Sequence, residues 1–260
     1  MTINLFETIP IWGMFLMTMI LSWVAYEIGS AFGEYHQTKS EKLPPDSGYL
    51  IGATLGLMIL ILAFTFSTTS YLFEERRRLD LDESNAMKTA YLRSGYLHEP
   101  YRTKLQNLMR EYVTLMLESS RTGVFEQLLK RFETMQRNIW LQSEELAETQ
   151  PNSPMVALFI QSLNDIVNIH EKRVMTGGNT LIPGIIWFGI FFILILAYFA
   201  IGYHSGMSGQ RNLLIYVFIL AYTSIFLLTI DLDRPQEGVL KISYQTVFNL
   251  NEWMNAHMMH

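Results

Sequence analysis

The chain has 260 residues, a formal net charge of −5 and no cysteine. Half of it is hydrophobic and only 17% is charged, against roughly 25% in an average soluble domain, which points to a membrane protein. The acidic balance argues against a nucleic-acid binder, and the lack of cysteine excludes disulfides, thiolate metal sites and cysteine nucleophiles.

Four stretches approach or exceed the ~20 apolar residues needed to cross a ~30 Å hydrocarbon core. The first runs over about 9–33, with Trp12 and Tyr35 as interfacial aromatics near its ends. It is too long for a signal-peptide core and lacks a basic start, so it is read as a retained span. The second covers about 48–72, the third about 181–201 and the fourth 213–230. From Gly48 to about Tyr96 nothing breaks the helix, so the second span is expected to continue beyond the membrane as one rod.

Four crossings put residues 1–8, the 73–180 insert and the 231–260 tail on one side. Of the 19 Lys and Arg residues, 14 lie in that insert and two in the tail. Arg76, Arg77 and Arg78 directly follow the second span, and Lys172 with Arg173 precede the third. The positive-inside rule makes this side cytoplasmic.

The insert reads as helical throughout. Leu105, Leu108, Met109, Tyr112 and Met116 form one apolar stripe at spacings of three and four. Phe125, Leu128, Leu129, Phe132, Met135 and Ile139 form a second, and Val156, Phe159, Leu163, Val167 and Val174 a third. "NSP" at 152–154 is a helix start with Ser153 as N-cap, and "TGGN" at 176–179 is a stop.

Two small-residue sets stand out: Gly29 and Gly33, then Gly48, Gly52 and Gly56. Glycine at every fourth position lets helix backbones approach closely in lipid. The sets flank one short loop and share a depth, so spans one and two are expected to pack together there. At 100° per residue Thr54, Ile61, Thr65, Thr68 and Leu72 fall within about 40° of another line on span two, ~160° from its glycines. Such a stripe lines a wet path with Ile61 as a hydrophobic constriction, or its threonines bond their own helix carbonyls. Glu27 lies inside span one, where an acid is either a functional group facing a cavity or a shallow carboxylate bonded to a neighbouring span.

Charge crowds the cytoplasmic boundary. Glu74, Glu75, Arg76, Arg77, Arg78, Asp80, Asp82 and Glu83 leave span two, while Asp231, Asp233 and Arg234 leave span four. "DLDES" lacks the glycine and distal glutamate of a calcium loop, so no metal site is expected. There is no GxxxxGK[ST], HExxH or GxSxG, the six histidines are scattered, and the terminal "HMMH" reads as a frayed end. No enzyme and no cofactor is indicated; an intramembrane enzyme using Glu27 has little behind it.

Several motifs together resemble a bestrophin-like family of bacterial and plant membrane proteins. They are Ala63–Phe64 ending span two, Glu83 with Ser84, Asn85 and Ala86, then Tyr91, Leu92 and Arg93, and later Asp231 to Pro235. "YEIGSAFG" resembles the family's ending of span one and "IPGIIW" its start of span three. The resemblance covers essentially the whole chain. It implies an oligomer, pentameric by analogy with bestrophins, which are anion channels with a pore along span two. The long acidic calcium clasp of animal bestrophins is absent here, which puts calcium gating in doubt. The family also pairs "DLDRP" with the segment after span two, which suggests a boundary network of Arg76, Arg77, Arg78, Glu83, Arg93, Asp231, Asp233 and Arg234.

The sequence thus predicts an all-α membrane protein of four transmembrane helices with a helical cytoplasmic bundle inserted between spans two and three. The expected function is an oligomeric ion channel for small inorganic anions in a lipid bilayer, the bacterial inner membrane as the resemblance implies, with pore candidates Thr54, Ile61, Thr65 and Thr68. The rival is a non-conducting scaffold or signalling protein acting through its helical insert.

Overall fold

A computed structural model describes residues 9–39, 47–122, 125–178, 182–209, 213–234, 243 and 245–257. Residues 235–238 of "DLDRPQEG", Asn179 of "TGGN", Leu181 at the start of the third span and 258–260 of "HMMH" lie outside the described residues. Among those described there are eight helices and no strand: α1 (Ile11–Thr38), α2 (Ser47–Ser94), α3 (Tyr101–Thr122), α4 (Phe125–Thr149), α5 (Pro154–Gly178), α6 (Gly184–Ser208), α7 (Leu214–Asp233) and α8 (Gln245–Ala256). Four of them, α1, α2, α6 and α7, are long and apolar enough to cross a membrane. The helices overrun the apolar stretches because a helix does not stop where the hydrocarbon does. α1 continues to Thr38, and α6 reaches Ser208 before Gly209 ends it at φ 65°, a left-handed cap that glycine adopts without strain.

The chain divides into two units, one of residues 1–71 with 181–240, the other of 72–180 with 241–260. In the first, α1 and α6 run parallel at backbone contact. A Cβ on Gly29 would overlap the carbonyl oxygen of Phe199, and one on Gly33 that of Tyr203. Reciprocally, a Cβ on Gly202 would overlap the Tyr26 carbonyl, and one on Gly206 that of Ser30. The close approach expected between spans one and two is therefore made between spans one and three. Gly48, Gly52 and Gly56 have nothing within 4 Å of a built Cβ. The reason is that α6 carries its own four-residue glycine pair, Gly202 and Gly206, level with that of α1. Met14, Tyr26, Met58, Leu62, Leu194, Tyr198 and Phe226 form the core of this unit. Outward lie Ile20, Trp23, Phe32, Leu57, Phe188, Phe192 and Val217, as a bilayer requires.

The second unit is a helical bundle of the later half of α2 with α3, α4, α5 and α8. The three expected stripes supply its core: Leu105, Met109, Tyr112 and Met116 from α3, Leu128, Phe132 and Ile139 from α4, Val156, Phe159 and Leu163 from α5. The side chain of Phe125 lies outside the described residues. The Ser153 hydroxyl accepts the Val156 N–H at 3.4 Å, so "NSP" opens α5 as an N-cap does. α8 adds Val247, Leu250 and Met254 to the same core.

Candidate functional site

α2 carries two different surfaces in the first unit. Thr54 and Ile61 are half-buried, Thr65 is 6% exposed and Thr68 is exposed. Each threonine closes onto its own helix: Thr54 donates to Leu50 O at 2.9 Å, Thr65 to Ile61 O at 2.8 Å and Thr68 to Phe64 O at 3.0 Å. On the opposite side Gly52, Gly56, Ala63, Ser67 and Ser70 fall within about 30° of one line. All five are exposed.

Glu27 is half-buried and accepts a hydrogen bond from Tyr216 Oη at 3.1 Å. The Tyr216 ring meets Tyr26 edge-on at 5.9 Å, and Tyr26 Oη stands 3.1 Å from Ser205 Oγ. The acid inside the first span is thus bonded to α7, with α1 and α6 hydroxyls paired beside it.

At the end of α7, Asp231, Asp233 and Arg234 are all buried. Asp233 Oδ1 accepts the N–H of Ile182 at 3.1 Å, just before α6 begins. Arg234 Nη1 donates to the carbonyl of Ile9 at 2.8 Å, just before α1 begins. This short polar turn ties the end of α7 to the backbone just ahead of two other spans.

In the second unit the later half of α2 carries ten charged residues between Glu74 and Arg93 and lies outside the apolar stretch. Arg77 pairs with Glu74 at 3.5 Å and Arg78 with Glu75 at 2.7 Å, both on the surface. Arg76 is buried and donates Nε to Thr176 O at 3.1 Å. Arg93 Nη1 donates to Leu158 O at 2.8 Å. Glu83, fully buried, is the hub of a network drawn from four helices. Arg173 donates Nη1 to Glu83 Oε2 and Nε to Asp80 Oδ1, each at 2.7 Å. Tyr112 Oη donates to Glu83 Oε1 at 2.8 Å and accepts from Gln136 Nε2 at 3.2 Å. His170 Nδ1 lies 3.1 Å from Glu83 Oε1 and 2.9 Å from Tyr112 Oη. An ionised carboxylate has no proton to give, so the Nδ1 proton belongs to His170 and points at Glu83.

The electrostatics follow from this packing. Burial alone would raise the Glu83 carboxyl, but the charge of Arg173 and the His170 hydrogen bond outweigh it and hold the pKa at about 2. Burial also works against the Arg173 cation, yet Asp80 and Glu83 hold it more firmly charged than an ordinary arginine. Burial pushes Asp80 upward, opposed by Arg173 and helped by Glu83. Burial and the neighbouring Glu83 charge push the Tyr112 phenol well above its usual range. Tyr112 had looked like one more stripe residue and Arg173 like a topology signal. A phenol, an imidazole and an arginine buried on apolar helix faces were the available signs of a shared partner. Among the described residues no group of three or more His, Asp or Glu is placed to hold a metal.

No family model matches the chain, and no curated protein does. Solved structures match well. One variant of a bacterial bestrophin homologue from Klebsiella pneumoniae is 14% identical, with 95% of this chain and 98% of that one covered at a TM-score of 0.68. A second variant of the same homologue is 13% identical, with 96% and 99% covered at 0.69. With four apolar helices and an all-helical described chain, this protein has a bestrophin-like fold.

Proposed function

We propose that the chain is one subunit of an oligomeric bestrophin-like ion channel that passes small inorganic anions along α2. The observation that carries the reading is the fold match over nearly the whole length of both chains. The insert and both termini are read as cytoplasmic, from the arginines flanking the spans. Thr65 is closed off within its own chain, so the lining is assigned to the open face of α2, at Gly52, Gly56, Ala63, Ser67 and Ser70, with half-buried Ile61 and exposed Thr68 on the side that Thr65 shares. Subunits repeated about an axis, five by analogy, would bring these small and hydroxyl-bearing positions together around water. Arg77 and Arg78 follow at the cytoplasmic end, where they would concentrate anions.

The absence of cysteine makes the test clean. Ser67→Cys and Thr65→Cys variants are reconstituted in liposomes, treated with a charged thiol reagent, and assayed for chloride flux beside Ile61→Ala, wild type and empty liposomes. Flux that the reagent blocks in Ser67→Cys but not in Thr65→Cys is expected. Silence from every folded, oligomeric protein, Ile61→Ala included, would shift the assignment to the non-conducting scaffold acting through the helical insert.

A further inference from the structure

The first unit contains hydroxyls that do not follow the local rule. Thr18, Ser22, Thr65, Ser224 and Thr229 each donate to the carbonyl four residues back, the usual outlet for a hydroxyl on a membrane helix. Tyr198 Oη, Tyr222 Oη and Thr223 Oγ1 are buried without a hydrogen-bond partner among the described residues. Tyr198 is 0% and Tyr222 4% exposed.

The two tyrosines belong to one interface. α6 and α7 run antiparallel there: Trp187 and Phe191 meet Phe226 at 5.6 and 5.1 Å, while Tyr198 meets Tyr222 at 6.4 Å and Phe218 at 6.2 Å. Tyr222 stacks on Phe226 at 6.4 Å. Tyr198 lies ten residues, about 15 Å, before the end of α6, and Tyr222 eight residues, about 12 Å, after the start of α7. Both therefore sit well inside the spans, at one level. Apart from each other, their ring neighbours are Phe218 and Phe226, and phenylalanine would fill the same space. Tyrosine adds only an O–H, which in this medium costs free energy unless something accepts it.

We propose that the hydroxyls of Tyr198 and Tyr222 hold one small hydrogen-bond acceptor, a halide ion or a water molecule, inside the α6–α7 aromatic interface. Two neutral donors on rings whose centroids lie 6.4 Å apart suit an acceptor that can take two hydrogen bonds at once, which both species do. Thr223, the next residue on α7, supplies a third free donor at the same level. The site does not depend on whether the protein conducts.

The experiment uses thermal unfolding of the detergent-solubilised full-length protein, followed by tryptophan fluorescence. Wild type, Tyr198→Phe, Tyr222→Phe and the double variant are compared in sodium chloride, sodium bromide and sodium gluconate at one ionic strength. Each single variant is expected to lower Tm by about 2–4 °C, and the double variant by less than the sum, because both hydroxyls serve one acceptor. A wild-type Tm higher in halide than in gluconate, with the difference lost in the variants, identifies a halide. The same losses in every salt identify a water. Variants with a Tm equal to or above wild type overturn the proposal, as does a strictly additive double variant. A halide effect that survives both substitutions also overturns it.

Discussion

The two units solve the problem of holding helices together by opposite means. In the membrane unit α1 and α6 meet through the absence of side chains, with four glycines letting each backbone approach the other's carbonyls. In the insert, four helices are joined through side chains of unusual polarity, with Glu83 buried against Arg173, His170 and Tyr112. Each device suits its solvent. Between spans already surrounded by hydrocarbon, burying more apolar surface gains little, so close packing decides partners. In a bundle folding from water, apolar stripes supply the driving force and are interchangeable in register. A fully satisfied polar hub adds directionality, although a buried ion pair by itself is weak evidence for stability.

The glycines provide the largest expected effect. Leucine at Gly202 has to displace the Tyr26 carbonyl, which is backbone and cannot swing aside. Gly202→Leu should cost more than about 4 kcal/mol and yield little folded protein. Gly52→Leu, on a helix face with nothing within 4 Å of the new Cβ, should leave the subunit folded. Size-exclusion profiles and Tm in detergent separate the two. Equal damage at both positions would mean that another copy of the chain covers the α2 glycines as tightly as α6 covers those of α1.

The hub comes next. Glu83→Ala removes one of the two carboxylates that hold the buried Arg173 guanidinium, leaving Asp80, and removing one partner of a buried pair costs up to about 3–5 kcal/mol. Acid should reach the same point by titration. Glu83 is held at about 2, below its ordinary 4.5, so its stabilisation is complete above that ordinary value and is lost as pH falls through the folded one. The full amount is about 3 kcal/mol. Asp80, shifted upward, contributes with the opposite sign and offsets part of the loss. The gap in Tm between wild type and Glu83→Gln should therefore narrow between pH 5 and pH 3. A constant gap over that range would mean that the Glu83 charge is not what the network stabilises.

Much of the fold was legible because periodicity is a local property. Span positions, the length of α2 and the three stripes of the insert all follow from spacing, and the structure places those stripes in its core. Partners were not legible, because nothing in "GSAFG" states which helix it faces. The pair Gly202 and Gly206 was present in "AIGYHSGM" but separated from Gly29 and Gly33 by some 170 residues. α8 was missed for a different reason. Val247, Leu250 and Met254 have helical spacing, but over only 12 residues, a length at which a helix forms by docking rather than by propensity. Two partners of "DLDRP" are backbone groups, the Ile182 N–H for Asp233 and the Ile9 carbonyl for Arg234, and backbone partners leave no complementary residue in a sequence to find.

The smallest expected effect tests whether charge at the foot of α2 acts by position or by pairing. Arg77 and Glu74 are about two-thirds exposed and 3.5 Å apart, one turn along the same helix. Such a pair contributes at most about 0.5 kcal/mol, so Arg77→Gln should shift Tm by about 1 °C or less. In the channel reading the same arginine stands where an anion enters, and its field reaches roughly 10 Å at 0.1 M salt. Chloride flux should then fall in Arg77→Gln while stability stays level, and the deficit should shrink as salt screens the wild-type charge. Loss of stability without loss of flux would make Arg77 a structural residue. A deficit unchanged at high salt would remove the electrostatic argument for anion entry at this end of α2.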